Sequence, residues 1–202
     1  VDAGFEVANH TYDHPNGRAD GFSAEQWEVE IQDCELALVD ADTGIGVSSA
    51  DIVGFRTPFL AYNDATFSAV TNWGLEYDSS IQACWGAQED GSNCLFPYTL
   101  DEGSPDNAAL HSEFDEPLLS NHPGLWEMPV STLIVPPDSL ATKYDFTPGL
   151  RGRIPTDMAG TSYYDPATGK LAPLDITLYY DAGMTPAEVL ATPKYTFDLQ
   201  IG

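Results

Sequence analysis

The sequence predicts an α/β fold built on a parallel sheet. Short apolar stretches alternate with amphipathic stretches that open on helix-capping residues. Such alternation marks βαβ units. The polar residues of greatest chemical interest also fall directly after apolar stretches, and in these folds function collects in the loops beyond the carboxyl ends of strands.

The elements follow in order along the chain. Phe5 to Asn9 reads as the end of a buried strand, and His10 to Gly21 is a polar connection with a turn signal at Asn16-Gly17. Ser23 and Gln26 form a capping box that opens a helix to about Asp40. A loop over 44–49 leads to a strand at Ile52–Phe55. Asn63 or Asp64 caps a second helix that stops at Gly74, and Leu75–Ser79 is the next strand. Residues 81–124 read as irregular, rich in Asp, Gly, Pro and Asn. Trp126–Val135 reads as one long strand halted by Pro136-Pro137, Asp138–Leu171 as loop, and Leu174–Tyr180 as strand. Thr185-Pro186-Ala187-Glu188 is another capping box, and its helix runs towards Gly202 with Pro193 as a kink or break.

Length and composition bound the function. The 202 residues, 43% of them hydrophobic, suffice for one domain with a sizeable core. The longest apolar run falls short of the eighteen residues that a membrane span needs. With 32 Asp and Glu against 7 Lys and Arg, the net charge of −25 repels nucleic acid and disfavours a polyanionic substrate, while a neutral polysaccharide is permitted. The acidic residues are spread along the chain, as in a surface suited to a saline or extracellular setting. Of three cysteines, Cys84 and Cys94 flank a short polar stretch. They read either as a disulfide formed in an oxidising, secreted or periplasmic compartment or as two free thiols. Cys34 shares helical spacing with Trp27, Ile31 and Leu38 and reads as a core thiol.

Two motifs carry chemistry. His10-Thr11-Tyr12-Asp13-His14 follows a strand, and two imidazoles four residues apart reach one metal ion if the backbone turns tightly between them. Neutral imidazole suits zinc, cobalt or nickel. The other reading is a pair of ordinary surface histidines. Asn9-His10-Thr11 also fits a glycosylation sequon, but a glycan there would obstruct the site. Gly54-Phe55-Arg56-Thr57-Pro58-Phe59 follows the next strand. An Arg at a strand end can hold a carboxylate by two parallel hydrogen bonds, and Pro58 stiffens its loop; a surface Arg in a proline turn is the alternative. Gly44-Ile-Gly46 lacks the rest of a dinucleotide fingerprint, and Gly46-Val-Ser48-Ser-Ala50 precedes a strand where a nucleophile elbow would follow one.

Together the two motifs resemble those of the NodB-homology polysaccharide deacetylases, the fourth family of carbohydrate esterases. His10 to His14 match its His-[Ser/Thr]-x-x-His metal motif, and Arg56 to Phe59 match its Arg-x-Pro-[Tyr/Phe] motif. The likeness continues through Tyr77-Asp78-Ser79-Ser80, Phe96-Pro97-Tyr98-Thr99-Leu100-Asp101 and Pro123-Gly124-Leu125-Trp126-Glu127-Met128-Pro129, in the manner of the chitin-deacetylase-like branch. It covers the chain to about Val135 and weakens beyond.

The resemblance implies an irregular (β/α) barrel and a secreted, divalent-metal hydrolase, zinc first, that removes N-acetyl groups from chitin or a peptidoglycan-like polymer. It implies His10 and His14 as metal ligands, Arg56 as the residue that orients the base, Asp78 as a carboxylate of the fourth motif, and Pro58 and Phe59 at the substrate, while Trp126, at a strand start near the site mouth, is the aromatic best placed to meet substrate. Trp85, Phe96, Tyr98 and Trp126 could stack on sugar rings or simply pack in the core. The family's Thr-Phe-Asp-Asp motif, source of its base and third metal ligand, does not precede His10. Its Leu-x-His motif, source of the general acid, has no copy either, since His111 and His122 lie too early. Residues 1–202 are therefore expected to be part of one such domain, incomplete at both ends and inactive alone. A non-catalytic carbohydrate-binding protein on the same fold is the alternative, and a two-carboxylate glycosidase on a related barrel is a second.

Overall fold

The structure, a computed structural model, describes residues 4–86, 88–156, 163–174 and 176–202, with the backbone alone at 113 and 114. The chain divides into two compact units: Val1–Gln82 with Leu95–Val130, and Ala83–Cys94 with Ser131–Gly202.

In the first unit, helix α1 spans Ala24–Val39. Ser23 and Gln26 close its expected capping box, each satisfying an amide of the other. The helix buries Trp27, Ile31 and Cys34, and Cys34 is a free, buried thiol. Helix α2 spans Asp64–Trp73, capped by Asn63 and ended by Gly74 in the left-handed conformation that glycine adopts without strain. The two helices pack against each other. Strand β1 is Gly54–Phe55 and strand β2 is Tyr77–Asp78. They pair in parallel, β2 pairs in parallel with Trp126–Glu127, and that strand pairs antiparallel with Tyr98–Thr99. A parallel bridge from Asn9 to Phe55 adds the chain before the His10 loop to the β1 edge. Among the described residues this sheet is open, with strands of two residues each.

Three expectations need correction here. The long strand expected at Trp126–Val135 is three short ones, Trp126–Glu127, Val130–Ser131 and Leu133–Ile134. Pro129 sits at the first break, where its missing N–H cannot serve a ladder. The stretch read as irregular contains helix α3, Pro105–Phe114, with Ser104 as N-cap and Pro105 at its first position. Phe5–Asn9 forms no strand beyond the Asn9 bridge.

The second unit packs Val135, Phe146, Leu150, Ile154, Leu171 and Leu178 into a core. Leu133–Ile134 pairs antiparallel with Lys170–Leu171. Short helices at Ala141–Tyr144 and Leu150–Arg153 replace part of the loop expected over 138–171, of which 157–162 lie outside the described residues. The strand expected at Leu174–Tyr180 is instead a π-helical turn over Thr177–Asp181, with residue 175 outside the described residues. A final helix, Pro186–Ile201, opens on the Thr185–Glu188 capping box and continues through Pro193. Cys84 and Cys94 form a disulfide. Buried Lys170 donates to the carbonyls of Trp85 and Gly86 inside that loop at 3.2 and 2.7 Å. No described helix is long and apolar enough to cross a membrane.

Candidate metal and substrate site

A pocket of about 540 Å³ in the first unit is lined by residues that include Glu6, His10, Arg56, Tyr77, Ser79 and Met128. Its floor follows from strand alternation: Tyr77 and Ser79 face it, while Asp78 between them points the other way. The Tyr77 ring lies across Gly54 on the neighbouring strand, where a Cβ would stand 2.1 Å from the ring. The Tyr77 hydroxyl is hydrogen-bonded to Glu6. Burial, and then that carboxylate, push Tyr77 up to about 12.

The histidines meet at the rim. Their ring centroids are 5.1 Å apart in an edge arrangement. His10 Nδ1 sits 2.8 Å from the Arg56 carbonyl oxygen. A carbonyl can only accept, so Nδ1 carries the proton and Nε2 is left with its lone pair. Metal-binding imidazoles are commonly oriented by this kind of second contact. Desolvation lowers the His10 pKa most; the Arg56 carbonyl opposes this, and the neighbouring His14 and Arg56 charges lower it further. His10 therefore stays neutral further into mild acid than a free imidazole does, which suits a ligand. The turn between the two rings is strained: Thr11 and His14 have φ of 64° and 56°, a region non-glycine residues seldom occupy. Asn9 is buried, its Nδ2 donating to the Ile31 carbonyl and its Oδ1 accepting from the Thr11 amide, so it does not present a glycan acceptor. The pair thus fits two positions of a zinc-like coordination sphere. Among the described residues, no group of three or more His, Cys, Asp or Glu gathers to complete one.

Among the described residues Arg56 grips no carboxylate. Its Nε donates to the Ser79 carbonyl at 2.8 Å and its Nη2 to Ser79 Oγ at 2.7 Å. The next residue repeats the stitch, as Thr57 N donates to Ser80 Oγ at 2.9 Å. Pro58 is buried at the head of a turn, Pro58–Leu60, in which Phe59 and Leu60 both have positive φ. That turn throws the Phe59 ring outwards, 46% exposed, against His14 at 4.7 Å between centroids. Trp126 is likewise 46% exposed and shares a sheet face with its register partner Tyr77. Trp85 is buried in the second unit, edge-on to Tyr163. Phe96 is exposed, and Tyr98 bonds Ser104.

Asp78 lies beneath this surface, fully buried beside Glu127 on the adjacent strand. It accepts from Ser80 N at 2.6 Å and Ser80 Oγ at 2.9 Å, while Glu127 Oε1 accepts from Ile81 N at 3.2 Å. Two ionised carboxylates cannot satisfy each other, and among the described residues Glu127 Oε2 has no donor unless a proton lies between the pair. Burial raises Asp78 to about 6, and burial followed by the Asp78 charge raises Glu127 well above the usual carboxylate range. Of the residues expected at the site, His10, His14, Arg56 and Phe59 are brought together, and Asp78 supports the Ser79–Ser80 corner from below. Motif reading missed Tyr77 and Ser79 as pocket walls, Glu127 as the partner of Asp78, and Glu30, whose Oε2 accepts the amides of Tyr12 and Asp13 at 3.0 and 2.9 Å. The period-two pattern around Asp78 could have identified Tyr77 and Ser79, whereas Glu127 reaches Asp78 only through strand register. Glu30 lies on a helix face, and no sequence signal marks it.

Residues 1–77 match the family model for polysaccharide deacetylase. That segment contains both histidines and Arg56 and stops one residue before Asp78. A solved structure, a family 4 carbohydrate esterase from Streptomyces lividans in complex with acetate, is similar over 87% of this chain and 73% of its own, at 21% identity and a TM-score of 0.32. A search of curated proteins finds no match.

Proposed function

We propose that this protein is a metal-dependent polysaccharide deacetylase that hydrolyses the N-acetyl groups of an amino-sugar polymer such as chitin. The observation that carries the reading is the paired imidazoles of His10 and His14, the first oriented by the Arg56 carbonyl, inside the segment that matches the deacetylase family model. His10 and His14 would hold the ion, zinc first, with cobalt or nickel as alternatives; when bound, it would supply a water of lowered pKa and a Lewis acid for an acetamide carbonyl. His10 keeps its Nδ1 proton on the Arg56 carbonyl, so its orientation does not depend on substrate. Arg56 lines the pocket as a cation locked in place by Ser79. Exposed Phe59 and Trp126 give sugar rings apolar faces, and the net charge of −25 favours a neutral polymer. The disulfide is consistent with secretion or a periplasmic setting.

The test is acetate release from chitin oligomers by the natural protein, before and after chelation and after zinc is restored. Acetate that disappears with chelator and returns with zinc supports the reading. Retention on chitin without acetate would favour the binding-protein alternative. New reducing ends made in the presence of chelator would indicate a two-carboxylate glycosidase.

A further inference from the structure

We propose that Glu30 is a positioning residue for the histidine loop, and that it acts through the reach of its oxygen, not through its charge. The consequence for metal affinity rests on the deacetylase reading above; the grip on the loop does not.

The loop cannot hold its own shape. Thr11 and His14 both have positive φ, and the buried Thr11 hydroxyl has no partner among the described residues. Conformations of this kind persist only where surrounding structure over-determines them. One turn of α1 supplies that structure. Glu30 Oε2 accepts from the amides of both Tyr12 and Asp13, at 3.0 and 2.9 Å. The Ile31 carbonyl accepts from Asn9 Nδ2 at 2.8 Å, and Asn9 Oδ1 accepts from the Thr11 amide at 3.1 Å. Residues 30 and 31 are neighbours in α1. Three successive amides, from Thr11 to Asp13, are therefore held directly or through Asn9 by one turn of that helix, and Glu30 holds the two nearest His14. Because a single carboxylate oxygen takes both, an amide oxygen at the same reach can replace it, whereas a carboxylate one methylene shorter cannot.

Glu30→Gln keeps the reach and removes the charge; Glu30→Asp does the reverse. In the natural protein, zinc affinity is measured by competition with a chelator, and amide hydrogen exchange is followed at Tyr12 and Asp13, with α2 as internal control. The expected result is that Glu30→Gln stays within about threefold of wild type in both, while Glu30→Asp loses about 10–100-fold in zinc affinity, as for other supports of metal ligands. Exchange at Tyr12 and Asp13 should accelerate in Glu30→Asp, with α2 unchanged. The reverse order, with Asp like wild type and Gln impaired, would mean that charge acts and would overturn the proposal, as would two variants indistinguishable from wild type. If wild type binds no zinc, the metal reading fails, and the exchange rates alone decide whether Glu30 holds the loop.

Discussion

The Nδ1 of His10 lies 2.8 Å from the carbonyl oxygen of Arg56, so the backbone of one site residue orients the ring of another. Metal should therefore bind through the opposite nitrogen of His10, with His14 as partner. His10→Ala and His14→Ala should each reduce zinc affinity by tenfold or more in a competition titration. Both side chains are exposed, so folding stability should move by only about 0.5 kcal/mol. Wild-type zinc affinity in either variant would remove the pair from the metal site.

Arg56 uses the planar fork of its guanidinium on one residue, Ser79, through carbonyl and hydroxyl together. Arg56→Lys should lose that geometry because an ammonium is a point charge on a flexible stem. We expect turnover to fall by tenfold or more. Ser79→Ala, which keeps the carbonyl contact, should fall less. The check is steady-state kinetics of acetate release for both variants; near-normal turnover in Arg56→Lys would leave Arg56 a purely structural role.

Local signals marked the parts of the fold that local physics determines. The Ser23, Asn63 and Thr185 caps were legible because each side chain serves its own first turn, three residues away. The two site motifs were legible because they sit in order after short apolar stretches. The Asp78–Glu127 pair was not, because only parallel register brings residues 49 positions apart side by side. The break at Pro129 was readable from proline's missing donor, yet the apolar run around it concealed the break. Helix α3 also carried its signal, Ser104 before Pro105, inside a stretch whose composition resembled loop.

The Asp78–Glu127 pair should make stability depend on pH. Both carboxyls are raised in the folded state, Asp78 to about 6 from an ordinary 3.8. The folded protein thus binds more protons than the unfolded chain, and this contribution is full below about pH 4 and is lost as pH rises through about 6 and beyond. Glu127→Gln replaces the shared proton with a permanent N–H donor to Asp78, and its amide oxygen can still accept from Ile81. The stability of Glu127→Gln relative to wild type should therefore increase from pH 5 to 8, by about 2 kcal/mol. Thermal melts of the two proteins across that range read the difference, which cancels carboxylates common to both. Parallel curves would mean that no proton is shared.

Gly54 is a pocket determinant because Tyr77 occupies the space a side chain would take. A Cβ there would meet Tyr77 Cζ at 2.1 Å and its hydroxyl oxygen at 2.2 Å. The ring cannot retreat freely, since its hydroxyl is tied to Glu6 and the two strands are in parallel register at these residues. Gly54→Ala should therefore cost about 1–3 kcal/mol, as overpacking does. It should also drive the ring into the pocket and weaken binding of chitin oligomers. Tyr77→Ala alone should cost stability through lost packing, yet in that background the methyl group introduced by Gly54→Ala has room. The double variant should then be more stable than the sum of the singles by about 1 kcal/mol or more, a coupling that residues in contact show and distant ones do not. Chemical denaturation of the four proteins closes the cycle. Additive costs would place the Tyr77 ring away from Gly54 and leave the pocket wall to another side chain.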